Sequence, residues 1–351
     1  MRRDNDIIFM KRALELARNA SGSTRPNPMV GAVLVHNNII IGEGYHIKAG
    51  EDHAEVIAIK SAPGKLLKES TIYVTMEPCS HLGRTPPCAD MIVQKGIGRV
   101  VTGSADTSRK VSGRGIDILR KGACDVEVGI LEKECRELNM RFFTFHEKGR
   151  PYIILKWAES KDGFIDRSND RTDLSGPNWI TGEEERVLVH KWRSQEHSIM
   201  VGRNTLVKDN PSLTTRMWDG INPLRVVLSG SGELPEKLTA LCDNKPLLLF
   251  SEEKINLKDT KEYILIRNRE KVIEEILKEL AEREIQSVLV EGGAYVLNQF
   301  ISKNLWDEAR IFTGNREFGS GIKSPSVQGR KTGEQIFKSS RLIYLKNRLI
   351  T

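Results

Sequence analysis

His53-Ala54-Glu55 and the later run Glu77-Pro78-Cys79-Ser80-His81-Leu82-Gly83-Arg84-Thr85-Pro86-Pro87-Cys88 decide how the first half of this chain is read. Each falls where the apolar pattern changes. That pattern predicts a helix from His53 to about Ser61, a short buried strand over Thr71–Met76 and a second helix from about Pro87 to Gln94. An imidazole at one helix start, a thiol after a strand and a thiol at the next helix start make a tetrahedral zinc set with one position open. Helix N-termini favour thiolates, because their unpaired N–H groups and positive dipole end stabilise the anion. His53, Cys79 and Cys88 are therefore the expected Zn2+ ligands. The open position suits a water that the metal acidifies. Glu55, two residues beyond the histidine, is expected to carry that water's proton. His81 is read as a loop histidine, since a fourth protein ligand would close the open position.

Working outward, helices and strands alternate. Met10, Ala13, Leu14 and Ala17 share one face of a first helix. Met29–Val35 and Ile39–Gly42 read as strands around a turn at Asn37-Asn38. Beyond the zinc motif come strand Arg99–Gly103, helix Gly115–Lys121, strand Val126–Gly129 and a closing helix over Glu132–Asn139. Gly113-Arg114-Gly115 reads as a turn before a helix. This is a three-layer α/β pattern. Glu147-Lys148-Gly149-Arg150-Pro151 reads as a linker, which divides the chain into domains 1–148 and 149–351. The second domain opens another βα series. Its strands are Tyr152–Trp157, Ser198–Gly202, Leu224–Ser229, Leu247–Phe250 and Val288–Glu291, and its amphipathic helices are Glu183–Arg193 and Lys271–Arg283.

Composition narrows the function. The 351 residues are 39% hydrophobic and 29% charged, which fits a globular protein and excludes collagen-like and disordered classes. No apolar run reaches the length of a membrane span, and the N-terminus lacks a signal-peptide core, so a cytoplasmic protein is expected. Five cysteines, an odd number, argue against a disulfide framework. Cys124, Cys135 and Cys242 are read as inert packing. The formal charge of +7 is dispersed and aromatics are only 6%, so neither a nucleic-acid patch nor a stacking platform is evident. The balance suits an anionic small molecule. The remaining histidines, His36, His46, His146, His190 and His197, are read mostly as structural, with His46, which follows the Gly42–Gly44 strand end, also able to approach the substrate.

Zinc base deaminases carry H-x-E followed by P-C-x-x-C. Here eight residues, not two, separate the cysteines. With that insertion, His53-Ala54-Glu55, Glu77-Pro78-Cys79-Ser80-His81 and Gly83-Arg84-Thr85-Pro86-Pro87-Cys88 resemble the deaminase half of the bifunctional riboflavin-biosynthesis deaminase/reductase family. Arg25-Pro26-Asn27-Pro28-Met29-Val30-Gly31 resembles its substrate loop. The resemblance implies a cytidine-deaminase-like three-layer domain. It also implies that Asn27, Arg84 and Asp106 hold a phosphoribosylaminopyrimidine substrate. Thr107-Ser108-Arg109 departs from the family's Pro-Asn-Pro turn.

The second half carries Ser160-Lys161-Asp162-Gly163, Trp179-Ile180-Thr181, Gly202-Arg203-Asn204-Thr205, Asp209-Asn210-Pro211-Ser212-Leu213-Thr214-Thr215-Arg216 and Glu291-Gly292-Gly293. A strand ending in Glu-Gly-Gly before a helix is able to cradle a pyrophosphate with backbone N–H groups. No G-x-G-x-x-G fingerprint is present. In this order the segments resemble the reductase half of the same family, whose fold is like dihydrofolate reductase. The resemblance implies NADPH near Glu159, Trp179, Thr205, Asp209 and the helix start Gly293, Ala294, Tyr295, Val296, Leu297, Asn298 and Gln299. It implies substrate contacts at Pro177, Arg193, Leu213, Arg216 and Glu291. Arg193 and Arg216 suit a phosphate as guanidinium forks. Lys161, Pro177, Asn210 and the polar stretch Asp166–Ser175 depart from the family's pattern.

The expectation is an α/β bifunctional enzyme, zinc-dependent and NADPH-dependent, with Glu55 and Asp209 at its two reacting centres. A homo-oligomer is the expected assembly, with no nucleic-acid or membrane partner. Two alternatives remain at this level. One is a zinc deaminase acting on RNA. The other is a catalytically degenerate, zinc-stabilised interaction protein, against which an intact Glu55 argues.

Overall fold

The structure, a computed structural model, describes residues 2–80, 86–108, 112–167, 178–230, 234–254 and 260–348. His81, Arg84, Arg109 and Pro177 lie outside the described residues. The chain divides into two units, Met1–Gly149 and Arg150–Thr351. Among the described residues no helix is long and apolar enough to cross a membrane.

The first unit runs α1 (Arg2–Arg18), β1 (Gly31–His36), β2 (Ile39–Tyr45), α2 (Ala54–Ser61), β3 (Thr71–Val74), α3 (Cys88–Gln94), β4 (Arg99–Thr102), α4 (Arg114–Lys121), β5 (Asp125–Val128), α5 (Glu132–Leu138) and α6 (Met140–Lys148). Its sheet has the order β2-β1-β3-β4-β5. The β1 strand is antiparallel to both neighbours, whereas β3, β4 and β5 are parallel. Successive side chains of a strand face opposite sides. Val33, Val35, Tyr73 and Val101 accordingly pack with Met10, Ala13 and Leu14 of α1. Ala32, Leu34, Ile72, Val74 and Val100 pack on the other face with Ala58, Ile92 and Leu119 of α2, α3 and α4. Fully burying each large aliphatic side chain contributes about 1.5–3 kcal/mol, so both helical layers are held firmly. Gly44 lets α2 lie directly on β2: a Cβ there would meet Ala54 O at 2.6 Å and Ala58 N at 2.7 Å.

The stretch read as a linker is in part helix. Phe142 and Phe143 bury one side of α6 against Met76, and the helix continues through Lys148 to Gly149, whose φ of 65° ends it. The next residue, Arg150, is clamped by Asp307 through hydrogen bonds of 2.6 and 2.8 Å.

The second unit runs β6 (Tyr152–Glu159), β7 (Phe164–Asp166), α7 (Glu183–Gln195), β8 (Ser198–Gly202), α8 (Arg203–Asp209), β9 (Leu224–Ser229), α9 (Thr239–Cys242), β10 (Leu247–Ser251), β11 (Lys261–Leu265), α10 (Val272–Glu282), β12 (Ser287–Val290), α11 (Ala294–Ser302), β13 (Glu308–Gly314), β14 (Ile322–Lys323), β15 (Arg330–Ile336) and β16 (Ser340–Lys346). A nine-stranded sheet has the order β11-β10-β9-β8-β12-β6-β13-β16-β15. It is parallel from β11 to β13 and antiparallel across β16 and β15. One face packs on α10 and α11, with Ile276, Leu280, Leu297 and Phe300 in its core. The other packs on α8 and α9 through Leu206, Val207 and Ala240. The sequence reading anticipated β6, β8, β9, β10 and β12 but not β11, β13, β15 or β16.

Candidate active sites

The zinc-type constellation assembles where β3 and the starts of α2 and α3 meet. His53 is the N-cap of α2, its backbone extended at φ −73° and ψ 161°. Cys88 is the first residue of α3. His53 Nδ1 lies 3.5 Å from Cys79 Sγ and 3.3 Å from Cys88 Sγ. All three donor atoms lie within 4.8 Å of one another. A tetrahedral centre with Zn–S of about 2.3 Å and Zn–N of about 2.0 Å spaces its donors by roughly 3.5–3.8 Å. The geometry therefore fits zinc, with Nδ1 as the imidazole ligand. The Cys88 N–H donates to Cys79 Sγ at 3.3 Å, and the Ala89 N–H to the Cys79 carbonyl at 3.2 Å. The Cys88 thiol, with His53 beside it, holds Cys79 well below the usual thiol range. Bonding to Cys79, together with burial, pushes Cys88 up.

Glu55 sits in the first turn of α2 and is only 3% exposed. Burial, with the Cys79 charge adding to it, raises its carboxyl to about 7. It also meets the Cys88 sulfur. A buried carboxyl two residues from a ligand is placed to take and return protons beside it.

Asn27 and Asp106 reach this region through different intermediaries. Asn27 Nδ2 lies 3.1 Å from His46 Nε2, and His46 Nδ1 lies 3.1 Å from the Asp52 carbonyl. The carbonyl accepts from Nδ1–H, so Nε2 accepts from the Asn27 amide. The His46 ring stands edge-on to His53, with centroids 5.3 Å apart. Burial keeps His46 neutral by lowering its pKa. Asp106 is held by its own backbone: its N–H donates to Glu77 Oε2 at 3.1 Å, and its Oδ1 accepts from the Ser108 N–H at 2.6 Å. Glu77 is a residue whose role the motif reading missed.

The second constellation lines a cavity of about 1040 Å³ in the second unit. It opens at the C-terminal ends of β6, β8, β9 and β12, where parallel sheets place their ligands. Trp179, Thr205, Asp209, Leu213, Arg193, Arg216, Glu291, Gly293, Ala294, Tyr295 and Val296 all line it. Leu297, Asn298 and Gln299 do not. Only the first turn of α11 faces the cavity, and Leu297 is fully buried in the core. Glu159 also stays out of the lining, accepting from Trp157 Nε1 at 2.9 Å and from Thr313 Oγ1 at 3.4 Å.

Arg193 does not present an open fork. Its Nε and Nη2 donate to the two Glu291 oxygens at 2.7 and 2.8 Å, and its Nη1 to the Thr214 carbonyl at 3.1 Å. Arg216 is the more exposed guanidinium; burial, with Arg193 and Arg186 nearby, lowers its pKa. Lys156, which the sequence reading passed over, lies 3.7 Å from Glu291. Burial lowers the Lys156 pKa against the pull of Glu291. Burial also pushes Glu291 up, but Arg193 and Lys156 outweigh it and keep the carboxylate ionised. A lysine inside the apolar run Tyr152-Ile153-Ile154-Leu155-Lys156-Trp157 was the available signal, since buried lysines are rare unless paired. His190, read as structural, also lines the cavity, and burial drives it down to about 4. Trp179 is half exposed, with the Arg186 guanidinium 4.7 Å above its ring.

Residues 3–104 match the cytidine and deoxycytidylate deaminase zinc-binding region, and residues 151–343 match the RibD C-terminal domain. A riboflavin biosynthesis protein RibD of Aquifex aeolicus is 40% identical over 342 residues, covering 96% of this chain and 94% of the relative. The RibD protein of Bacillus amyloliquefaciens is also 40% identical, covering 91% of this chain and 86% of its own length. The crystal structure of a diaminohydroxyphosphoribosylaminopyrimidine deaminase/5-amino-6-(5-phosphoribosylamino)uracil reductase from Thermotoga maritima is 36% identical. It superposes with a TM-score of 0.88, covering 99% of this chain and 100% of that one. The first unit is therefore a cytidine-deaminase-like domain with a zinc-binding site at His53, Cys79 and Cys88, and the second is a dihydrofolate-reductase-like reductase domain, which implies a nicotinamide cofactor. An activity in both halves leaves no room for the non-enzymatic alternative. The chain belongs to the RibD family of bifunctional riboflavin-biosynthesis deaminase/reductases.

Proposed function

We propose that the first unit hydrolytically deaminates 2,5-diamino-6-(5-phosphoribosylamino)pyrimidin-4(3H)-one. The second then uses NADPH to reduce the ribosyl group of 5-amino-6-(5-phosphoribosylamino)uracil to ribityl. The observation that carries the deaminase half is Glu55, a buried carboxyl in the first turn of α2, two residues past His53 and against the Cys88 sulfur. Zinc, when bound by His53, Cys79 and Cys88, supplies a Lewis acid that activates water at neutral pH. Glu55 takes one proton from that water and gives it to the ring nitrogen as oxygen adds to the amine-bearing carbon, then carries the second proton from that oxygen to the amine as the carbon–nitrogen bond breaks and ammonia leaves. Asn27 and Asp106, with Arg84, hold the substrate.

In the reductase half, Trp179, Thr205, Asp209 and the first turn of α11, which line one cavity, would hold the nicotinamide cofactor. Bound there, NADPH would supply hydride to the sugar carbon attached to nitrogen; the bond from that carbon to the ring oxygen would break, and that oxygen would take up a proton. Asp209 orients or protonates groups around that carbon. Arg216 pairs with the substrate phosphate, while Arg193 fixes Glu291 towards the sugar. Substrate and cofactor are charged small molecules that do not cross membranes, which supports a cytoplasmic setting.

The test is incubation of the full chain with the diaminopyrimidine phosphate, with and without NADPH, following ammonia and NADPH separately. Ammonia is expected in both cases. NADPH is expected to fall only after ammonia has appeared. NADPH consumption without prior ammonia release overturns the order of steps.

A further inference from the structure

We propose that Glu77 is a positioning residue of the deaminase site, fixing Asp106 relative to the cysteine loop and thereby setting substrate affinity. Glu77 is buried and stands two residues before Cys79. Its carboxylate gathers four backbone donors from a distant segment. Oε2 accepts from the Asp106 and Gly113 N–H groups, both at 3.1 Å. Oε1 accepts from Gly115 at 2.9 Å and Ile116 at 3.3 Å. The Glu77 N–H donates in turn to the Ser104 carbonyl at 2.9 Å. Glu77 and the 104–106 segment are therefore bonded in both directions.

The donors also explain the glycines at the start of α4. A Cβ on Gly115 would stand 2.0 Å from the Pro78 carbonyl oxygen, so the helix start rests on the peptide that leads into Cys79. The positive end of α4 faces the Glu77 charge, which strengthens each of these bonds. With its backbone tied to Glu77 and its Oδ1 tied to Ser108, Asp106 is fixed in both position and direction.

The metal set is secured differently. Cys79 is bonded to the start of α3 through Cys88 and Ala89, and His53 and Glu55 ride on α2. Loosening Glu77 therefore frees the Asp106 loop and leaves the reacting groups in place. The inference rests on the reading of Asp106 as a substrate contact.

The experiment uses the zinc-loaded full chain with the diaminopyrimidine phosphate. Glu77→Gln keeps the volume but sets an amide N–H2 against backbone donors. KM for deamination is expected to rise about tenfold, the effect of losing charge-assisted bonds. kcat, zinc content and reduction of supplied deaminated substrate stay near normal. Gly113→Ala is a milder variant: its Cβ meets nothing within 4 Å, but the backbone sits at φ 83°. It is expected to raise KM by a smaller factor, and it decides the matter if Glu77→Gln does not fold. Asp106→Asn is the reference, and combined with Glu77→Gln it should raise KM by less than the product of the two single effects. An unchanged KM in the variant that folds, a fall in kcat alone, or a loss of zinc alone overturns the role of Glu77. A normal KM in Asp106→Asn, with KM raised in Glu77→Gln, overturns the reading of Asp106 instead.

Discussion

Arg193 and Glu291, 98 positions apart, face each other as a two-bond pair at 2.7 and 2.8 Å in the wall of the reductase cavity. The guanidinium is almost wholly out of water, and its third nitrogen is committed to the Thr214 carbonyl. Arg193→Met therefore leaves the Glu291 charge with Lys156 alone, at 3.7 Å. Removing one partner of a buried ion pair costs about 3–5 kcal/mol, and urea unfolding of the reductase unit should show a loss of that size. Arg216→Ala should leave the unfolding midpoint almost unchanged and raise KM for the reductase substrate. A stable Arg193→Met protein would show that the pair does not support the fold.

Glu55→Gln keeps the size of the side chain and removes its proton affinity. Ammonia release should fall about 10²–10⁴-fold, the usual range for losing a general acid–base group. Zinc content and NADPH-dependent reduction of supplied deaminated substrate should persist. Steady-state assays with metal analysis on the same sample check all three.

Cys88→Ala removes a ligand from the start of α3. About one zinc per chain is expected in the unaltered protein, as one three-ligand catalytic site requires, and well below that in the variant. Deamination should disappear with the metal. Reduction should continue, because every described residue that lines the reductase cavity belongs to the second unit. Loss of both activities on chelation of a folded sample would contradict that independence.

His190 gives a pH signature of stability. Burial, aided by the nearby Arg193 and Arg216, brings its pKa down from 6.5 to about 4. The unfolded chain therefore binds the proton more readily than the folded one. The contribution of neutral His190 is fully present above pH 6.5 and is lost progressively as the pH falls towards 4. His190→Gln should flatten the fall of melting temperature across that window relative to the unaltered chain. Parallel melting curves for the two proteins would remove His190 from the acid response.

The deaminase ligands were legible because each stands at an element boundary that the apolar pattern marks. His53 caps α2, and Cys88 begins α3. Residues whose partners are backbone atoms were not. Glu77 reads as one letter of a motif, while its four donors lie 29 to 39 positions away. The strand β13 escaped because Glu308 and Arg310 interrupt its apolar run. Arg310 is buried and Glu308 partly so: Arg310 stacks 4.5 Å over Trp192 and bonds Glu308 at 2.6 Å. β15 escaped for the opposite reason, being a polar edge strand with little of its surface covered. The fork read at Arg193 was legible as a charge, but its commitment to Glu291 is a tertiary fact.

Gly44 has a consequence for how this enzyme is able to diverge. Because α2 rests on bare backbone there, the turn that carries His53 and Glu55 has no slack along or across the sheet. Descendants of this sequence that acquire a different ring as substrate cannot do so by sliding that helix. They must inherit its placement unchanged and write new specificity into the loops around it, so the turn that handles the proton is the part least open to revision.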